Sequence, residues 1–208
     1  MKETRPNILN ASLKLFNDNG FVNVRLQHIA DEANVSIGNL AYHFANKKEL
    51  LAHIYKNLVG KQSELLNELN IVPLFENLDR HWDNVFEIQH TYSFFYQDTL
   101  EILRFDAQIA NSYRKHIQWE KDQWYRLIQF NVSRGALNAV GKEEEIKQKA
   151  ELIWLIENSW LQQTTVAGKD IAAVEDFKSH LWQGFLPHFS HIGKQEFDQL
   201  IKNKAIPL

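Results

Sequence analysis

The chain has 208 residues, with 23 Lys and Arg against 26 Asp and Glu, 44% apolar residues and no Cys. That balance suits a folded globular protein and excludes extended disorder, while the missing Cys excludes disulfide scaffolds, thiolate metal sites and cysteine nucleophiles. No apolar run approaches the roughly 18 residues of a membrane span, and the N-terminal MKETRPNILN lacks a signal peptide's apolar core, so a soluble cytoplasmic protein with no membrane partner is expected.

Charge is unevenly placed. Residues 1–60 carry seven Lys/Arg against five Asp/Glu, whereas residues 61–208 carry 16 against 21. A mildly basic head on an acidic body is compatible with nucleic-acid binding by the head alone. Gly and Pro are scarce and no strand alternation is sustained, so the expected fold class is all-α.

A first helix can start at Thr4 as N-cap, with Pro6 in its first turn. It presents Ile8, Leu9, Leu13 and Phe16 on one face and stops at Gly20 in the left-handed conformation. A second helix carries Leu26, Ile29, Ala30 and Ala33 at i, i+3, i+4, i+7. Asn34 tolerates positive φ, Val35 turns inward, and Ser36 caps a short third helix through about His43 with Leu40 inside. Asn46 and Glu49 form a capping box with Asn in place of Ser/Thr. They open a fourth helix bearing Leu50, Leu51, Ile54, Tyr55 and Leu58.

Asn67–Leu74 is the expected linker, because Pro73 forbids helix continuation. Long aromatic-rich helices follow over 74–134, with breaks near His90–Ser93 and Arg104–Ala107. A turn is expected over Gly135–Lys142, then helices over Glu143–Ala167, Val174–Leu186 and roughly Lys194–Lys202.

Helices two and three form a pair around a tight turn. Such a pair can lay its second helix in a DNA major groove, and its outer face would show Ser36, Ile37, Asn39, Tyr42 and His43. Gly38 removes a side chain where a backbone must come close. The same spacing also fits an ordinary antiparallel helix pair in a bundle. The ordered run Phe16…Gly20-Phe21, Ile29-Ala30-x-x-Ala33 and Val35-Ser36-Ile37-Gly38-Asn39-Leu40-Ala41-Tyr42-His43-Phe44-Ala45-Asn46-Lys47 resembles the N-terminal signature of the TetR family of bacterial transcriptional regulators, over residues 4–60. The resemblance implies a homodimer that binds a palindromic double-stranded DNA operator. It implies a phosphate clamp of Tyr42, His43 and Lys47, and a base-reading face of Gln27, Ser36, Ile37 and Asn39. Lys47 would sit at the amide-rich start of helix four. The chain departs from the family where Val24-Arg25 replaces the usual Thr or Ser. Arg25 can contact phosphate as a charge, leaving the helix cap to Asn23. Ala41 replaces an aromatic, and Asn34 a common Gly.

Residues 73–130 hold 13 of the 25 aromatics. Aromatics at helical spacing pack as core; alternatively they line a pocket for an apolar or aromatic small-molecule effector. The candidates are Trp82, Phe86, Tyr92, Phe95, Phe105, Tyr113 and Trp124, with Trp82 and Phe86 on one helix face. Two late stripes suit a dimeric four-helix bundle: Ile153, Trp154 and Leu161 on one, Phe177, Leu181 and Phe185 on the other, with Gly184 allowing close contact. Both stripes can equally face their own domain.

Enzymatic chemistry is thinly represented. Glu87-x-x-His90 is half of a di-iron pattern without its second half. His188 and His191 lack a third ligand, and no nucleophile elbow or phosphate loop occurs. No enzyme activity, cofactor or metal is expected. The expected domains are a helix-turn-helix head over 1–46, a connecting helix and linker over 47–72, and an effector-binding and dimerisation domain over 73–208. The expected function is a repressor released from its operator by a small molecule, with control by a protein partner as the alternative.

Overall fold

The computed structural model describes residues 4–138, 143–169 and 173–205. It is built from helices: α1 Thr4–Asn19, α2 Leu26–Glu32, α3 Ile37–His43, α4 Lys47–Ile71, α5 Phe75–Thr91, α6 Ser93–Gln97, α7 Thr99–Phe105, α8 Ala107–Ser133, α9 Glu143–Val166, α10 Val174–Gln183 and α11 His191–Ala205, with a 3-10 turn at Leu186–His188 before α11. Among the described residues the only extended pairing is an isolated bridge between Leu137 and Phe189. No helix is long and apolar enough to cross a membrane among the described residues.

Local stop signals act where the sequence places them. Gly20 and Gly168 have φ of +78° and +63°, and among the described residues Asn34 is the non-glycine residue at positive φ, +54°. Several boundaries differ. α4 continues to Ile71, so the linker shrinks to Val72–Leu74: Pro73 ends the helix only from the residue before it. An extra break falls at Asp98, which separates α6 from α7. α10 stops at Gly184, three residues before Pro187, and α11 begins at His191, where the Ser190 hydroxyl accepts the Gly193 N–H. The expected turn over Gly135–Lys142 is described only to residue 138, where Gly135 has φ +78°.

The chain divides into two compact units. One is Met1–Gln62 with Ile88–Lys115; the other is Ser63–Glu87 with His116–Leu208. This division is not linear: residues 88–115 belong with the N-terminal head, and α4, α5 and α8 each run from one unit into the other.

The first unit packs Phe16 against Phe21 and Phe94, with ring centroids 5.3 and 5.1 Å apart, and Phe21 against Phe105 at 5.0 Å. Ile8, Ile29, Leu40, Phe44, Leu50 and Leu51 are fully buried around them. Edge-to-face aromatic pairs of this kind add about 0.5–1.5 kcal/mol each beyond their area.

The second unit is centred on Trp82, Trp124, Phe75, Ile153, Phe177, Leu181 and Phe185. Its interior also holds the ammonium of Lys178, 2% exposed, between the carboxylates of Asp79 at 2.8 Å and Asp83 at 2.5 Å. A buried ammonium is tolerated only with such partners. Asp79 also accepts from Trp182 Nε1 at 3.1 Å, so this pairing binds α5 to α10.

Candidate nucleic-acid interface

The helix pair is set by its turn. Val35 N donates to Ala30 O at 2.9 Å and Asn34 N to Asp31 O at 3.1 Å, so left-handed Asn34 satisfies the end of α2. Ser36 Oγ then accepts the Asn39 N–H at 3.1 Å and starts α3. Leu40 anchors α3 inside, which turns Ser36, Gly38, Asn39 and Ala41 outward, together with Ile37 (44% exposed) and Tyr42 (77% exposed). A Cβ at Gly38 would meet nothing nearer than the Ser36 hydroxyl at 4.0 Å, so no neighbour in the chain requires glycine there. His43 is half-buried beside Tyr42, ring centroids 5.2 Å apart.

α2 begins differently from the expectation. Its N-cap is Arg25, whose N–H donates to His28 Nδ1 at 3.3 Å, and Asn23 is not the cap: its amide donates to Asn19 O at 2.9 Å. The physical reason is reach, since the Asn23 side chain is already satisfied by the end of α1. Arg25 and Gln27 are exposed, and Gln27 Nε2 donates to Asp31 on its own helix at 2.7 Å. At the start of α4, Asn46 Oδ1 accepts the Glu49 N–H at 2.9 Å, while Glu49 reaches past the cap to the Ala45 N–H at 3.0 Å.

Lys47 does not project freely. Its ammonium donates to Phe21 O at 2.5 Å and lies 4.1 Å from the Phe21 ring centroid and 5.6 Å from that of Phe16. Burial lowers its pKa. It is therefore committed to the loop between α1 and α2, while Tyr42 and Arg25 remain open.

Three residues of this arrangement escaped the sequence reading. Asp98 accepts the Phe21 N–H at 2.6 Å, so the buried Phe21 peptide is held from both sides, by Asp98 on its N–H and Lys47 on its C=O. Asn17 bridges α1 to the α5–α6 junction, donating to Thr91 O at 3.0 Å and accepting from Phe94 N at 3.1 Å. Asp106, 1% exposed, caps α8 through the Gln108 and Ile109 amides and faces Lys48 at 3.7 Å. The Asp-Thr and Asp-Ala pairs at 98–99 and 106–107 are legible as cap signals, but a contact 77 residues away in sequence has no local signature.

The expected effector residues are divided between the two units. Trp82 and Trp124 are fully buried and stacked, centroids 6.2 Å apart, in the second unit, where Phe86 packs on Phe177 at 5.9 Å. Tyr92, Phe95 and Tyr113 are buried in the first unit; Phe95 lies 5.2 Å from Tyr113 and 5.6 Å from Tyr55. Phe105 is half exposed against Phe21. None of the seven lines the four cavities described in these units. One of these, about 290 Å³, lies beside Tyr55, Val59 and Ile109 of the first unit. Another, about 240 Å³, lies beside Leu65, Leu69 and His81 of the second.

The expected dimer stripe faces its own chain. Ile153, Leu161, Phe177, Leu181 and Phe185 are all at most 2% exposed. Trp154 is half-buried and donates through Nε1 to Glu120 at 2.9 Å. α10 folds onto α9 closely enough that a Cβ at Gly184 would lie 2.6 Å from Ile153 Cδ1. The opposite face of α9 carries Leu152, Leu155 and Val166, the last 78% exposed.

Buried ionisable groups concentrate in the second unit. Burial, and then the neighbouring Glu120, hold the Glu157 carboxyl well above the usual carboxylate range. His116 Nε2 lies 3.3 Å from Glu120. Burial lowers the His81 imidazole to about 3, opposed in part by the Leu65 backbone. Among the described residues no group of three or more acidic or His side chains is placed to hold a metal ion.

Comparison with known proteins identifies the chain. Residues 8–54 match the model described as bacterial regulatory proteins, tetR family, and residues 62–197 match a second described as bacterial transcriptional repressor. No curated protein matches by sequence. The fold is similar to a TetR-family transcriptional regulator from Marinobacter aquaeolei (22% identity, 95% of this chain and 97% of that one, TM-score 0.85). It is similar to a putative transcriptional regulator from Saccharomonospora viridis solved in complex with choline (21%, 88% and 95%, TM-score 0.69). It is also similar to the ketosteroid transcriptional regulator KstR2 of Mycobacterium tuberculosis (14%, 92% and 97%, TM-score 0.70). The chain belongs to the TetR family of bacterial transcriptional regulators.

Proposed function

We propose that this regulator is a homodimeric repressor that leaves a palindromic operator when a small, mainly apolar molecule binds its body. The observation that carries the reading is the outer face of α3, where Ile37 and Tyr42 stay exposed while Leu40 holds the helix down. An exposed Ile suits a thymine methyl and Asn39 suits adenine. Arg25, Tyr42 and His43 serve the flanking phosphates, Gln27 and Ser36 complete the contact face, and Lys47 acts as a strut behind it. The exposed Leu152, Leu155 and Val166 on α9 supply an apolar face for the second subunit, which would space two recognition helices about 34–36 Å apart. The choline complex of a similar fold supports a small-molecule effector.

Release needs only a modest bias. A coupling of roughly 1–3 kcal/mol changes operator affinity about 5- to 150-fold, and α4 runs from the unit carrying α3 into the second unit. The test is selection of fragments from genomic DNA by the purified protein at physiological salt. An enriched palindrome is the expected result, with binding lost in Tyr42→Ala and Arg25→Ala. Salt-sensitive binding with no enriched sequence would mean generic phosphate attraction alone and would refute the reading.

A further inference from the structure

The start of α1 carries an exposed guanidinium beside the end of the recognition helix. Arg5 lies over the ring of Phe44, 5.1 Å from its centroid, and Phe44 directly follows Tyr42 and His43. Its Nη2 donates to His53 Nδ1 on α4 at 3.4 Å, and the His53 ring stands edge-on to Phe44, centroids 5.9 Å apart. Buried Phe44 and the α4 imidazole thus brace the guanidinium at the surface. A guanidinium carries five N–H donors, so most of them remain for an outside acceptor.

The charge at this place is not neutralised. Arg5 donates to an imidazole instead of a carboxylate, and it forms no ion pair with a described residue. Burial, and then the positive charges of Arg5 and Lys56, lower the His53 pKa. Glu49, one turn before His53 on α4, is committed to the Ala45 N–H at 3.0 Å. The cations that open α4 are engaged elsewhere: Lys47 donates to Phe21 O, and Lys48 faces the buried Asp106 at 3.7 Å. Tyr42 and His43 offer a hydroxyl and an imidazole, which leaves the C-terminal end of α3 without a fixed cation of its own. A phosphate is held best by such a cation, and a guanidinium can grip it with two parallel N–H groups.

We infer that Arg5, braced by Phe44 and His53, binds a phosphate of duplex DNA beside the Tyr42–His43 clamp, in the role that Lys47 gives up to the interior. The contact extends the interface from the helix pair to the start of α1. It rests on the operator reading above for the side of α3 that meets DNA, but a phosphate contact carries no base sequence.

The test measures binding of the full chain, as parent, Arg5→Gln and Arg5→Lys, to two duplexes of equal length, the selected palindrome and one of generic sequence. Salt runs from 50 to 200 mM, beside a thermal melt. Arg5→Gln is expected to flatten the slope of log affinity against log salt by about 0.9 per subunit on both duplexes. Across that fourfold change in salt the parent should therefore lose about 3- to 4-fold more affinity per subunit than the variant. Arg5→Lys keeps the charge and should keep the parent's slope. Parallel slopes for parent and Arg5→Gln overturn the contact, whether or not the melt falls, and leave the operator reading standing where the palindrome is still preferred. A loss confined to the palindrome overturns it as a phosphate contact. Should no palindrome be selected, the operator reading falls and the generic duplex alone decides the contact; a parent that binds neither duplex overturns both.

Discussion

Replacing Lys47 by Met separates a phosphate contact from an internal strut. The Lys47 ammonium lies 2.5 Å from Phe21 O and 4.1 Å from the Phe21 ring centroid, and it is partly desolvated. Losing a hydrogen bond from a charged donor costs about 1.5–3 kcal/mol, and the lost cation–π contact about 0.5–1 kcal/mol. Met keeps the apolar stem, so a net loss of about 2 kcal/mol is expected, which lowers the melting temperature of a chain this size by about 4–8 °C. A phosphate contact behaves otherwise. Each one contributes about 0.9 to the slope of log affinity against log salt, so its removal would flatten that slope by about 0.9 per subunit. The assay is operator binding of parent and Lys47→Met from 50 to 300 mM salt, measured at a temperature where both are folded, beside a thermal melt. Parallel slopes with a lowered melt are the expected outcome. A flattened slope with an unchanged melt would show that the ammonium leaves Phe21 for the DNA, and the strut assignment would be wrong.

Three other outcomes follow from the same geometry. Asp98→Ala leaves the Phe21 amide unpaired in a buried loop and should cost about 1–3 kcal/mol, with Asp98→Asn recovering part of it; equal melts for both would remove Asp98 from the arrangement. On the apolar face of α9, Leu155→Glu should leave the melt of the dilute protein within a few degrees but convert a dimer to a monomer in sedimentation; an unchanged mass would place the subunit contact elsewhere. His81 sets a pH signature. Its pKa falls from 6.5 to about 3 in the folded protein, so only the unfolded chain gains a proton between those values, and stability is lost as pH drops below 6.5. At pH 5 that amounts to about 2 kcal/mol, from 1.5 pH units at about 1.4 kcal/mol each. Denaturant titrations at pH 7 and pH 5 should show this extra loss in the parent and not in His81→Leu.

The head was largely legible because its signals are local. A glycine or asparagine at positive φ, a Ser oxygen three residues from an amide and an Asn-x-x-Glu box each act within one turn. Gly20, Asn34, Ser36 and Asn46 therefore do in the fold what their neighbours imply. The outward face of α3 follows from Leu40 alone once the helix ends are known.

The body was legible as helices but not as faces. α9 bears Ile153 and Leu161 on one side and Leu152, Leu155 and Val166 on another. A helix apolar on more than one side satisfies the periodicity argument in either orientation. Only the packing of α10, with Gly184 pressed on Ile153, decides that the Ile153 side is interior. The same holds for the aromatics. Their spacing says that they cluster, whereas the division of the chain sends Trp82 and Trp124 into one unit and Phe95 and Tyr113 into the other. Helix type, caps and the recognition turn are thus properties of short segments, which the chain determines by itself. The inward side of a helix, the partner of Lys47 and the reach of Asp98 to Phe21 depend on groups brought together across long stretches of chain, and only the tertiary structure decides them.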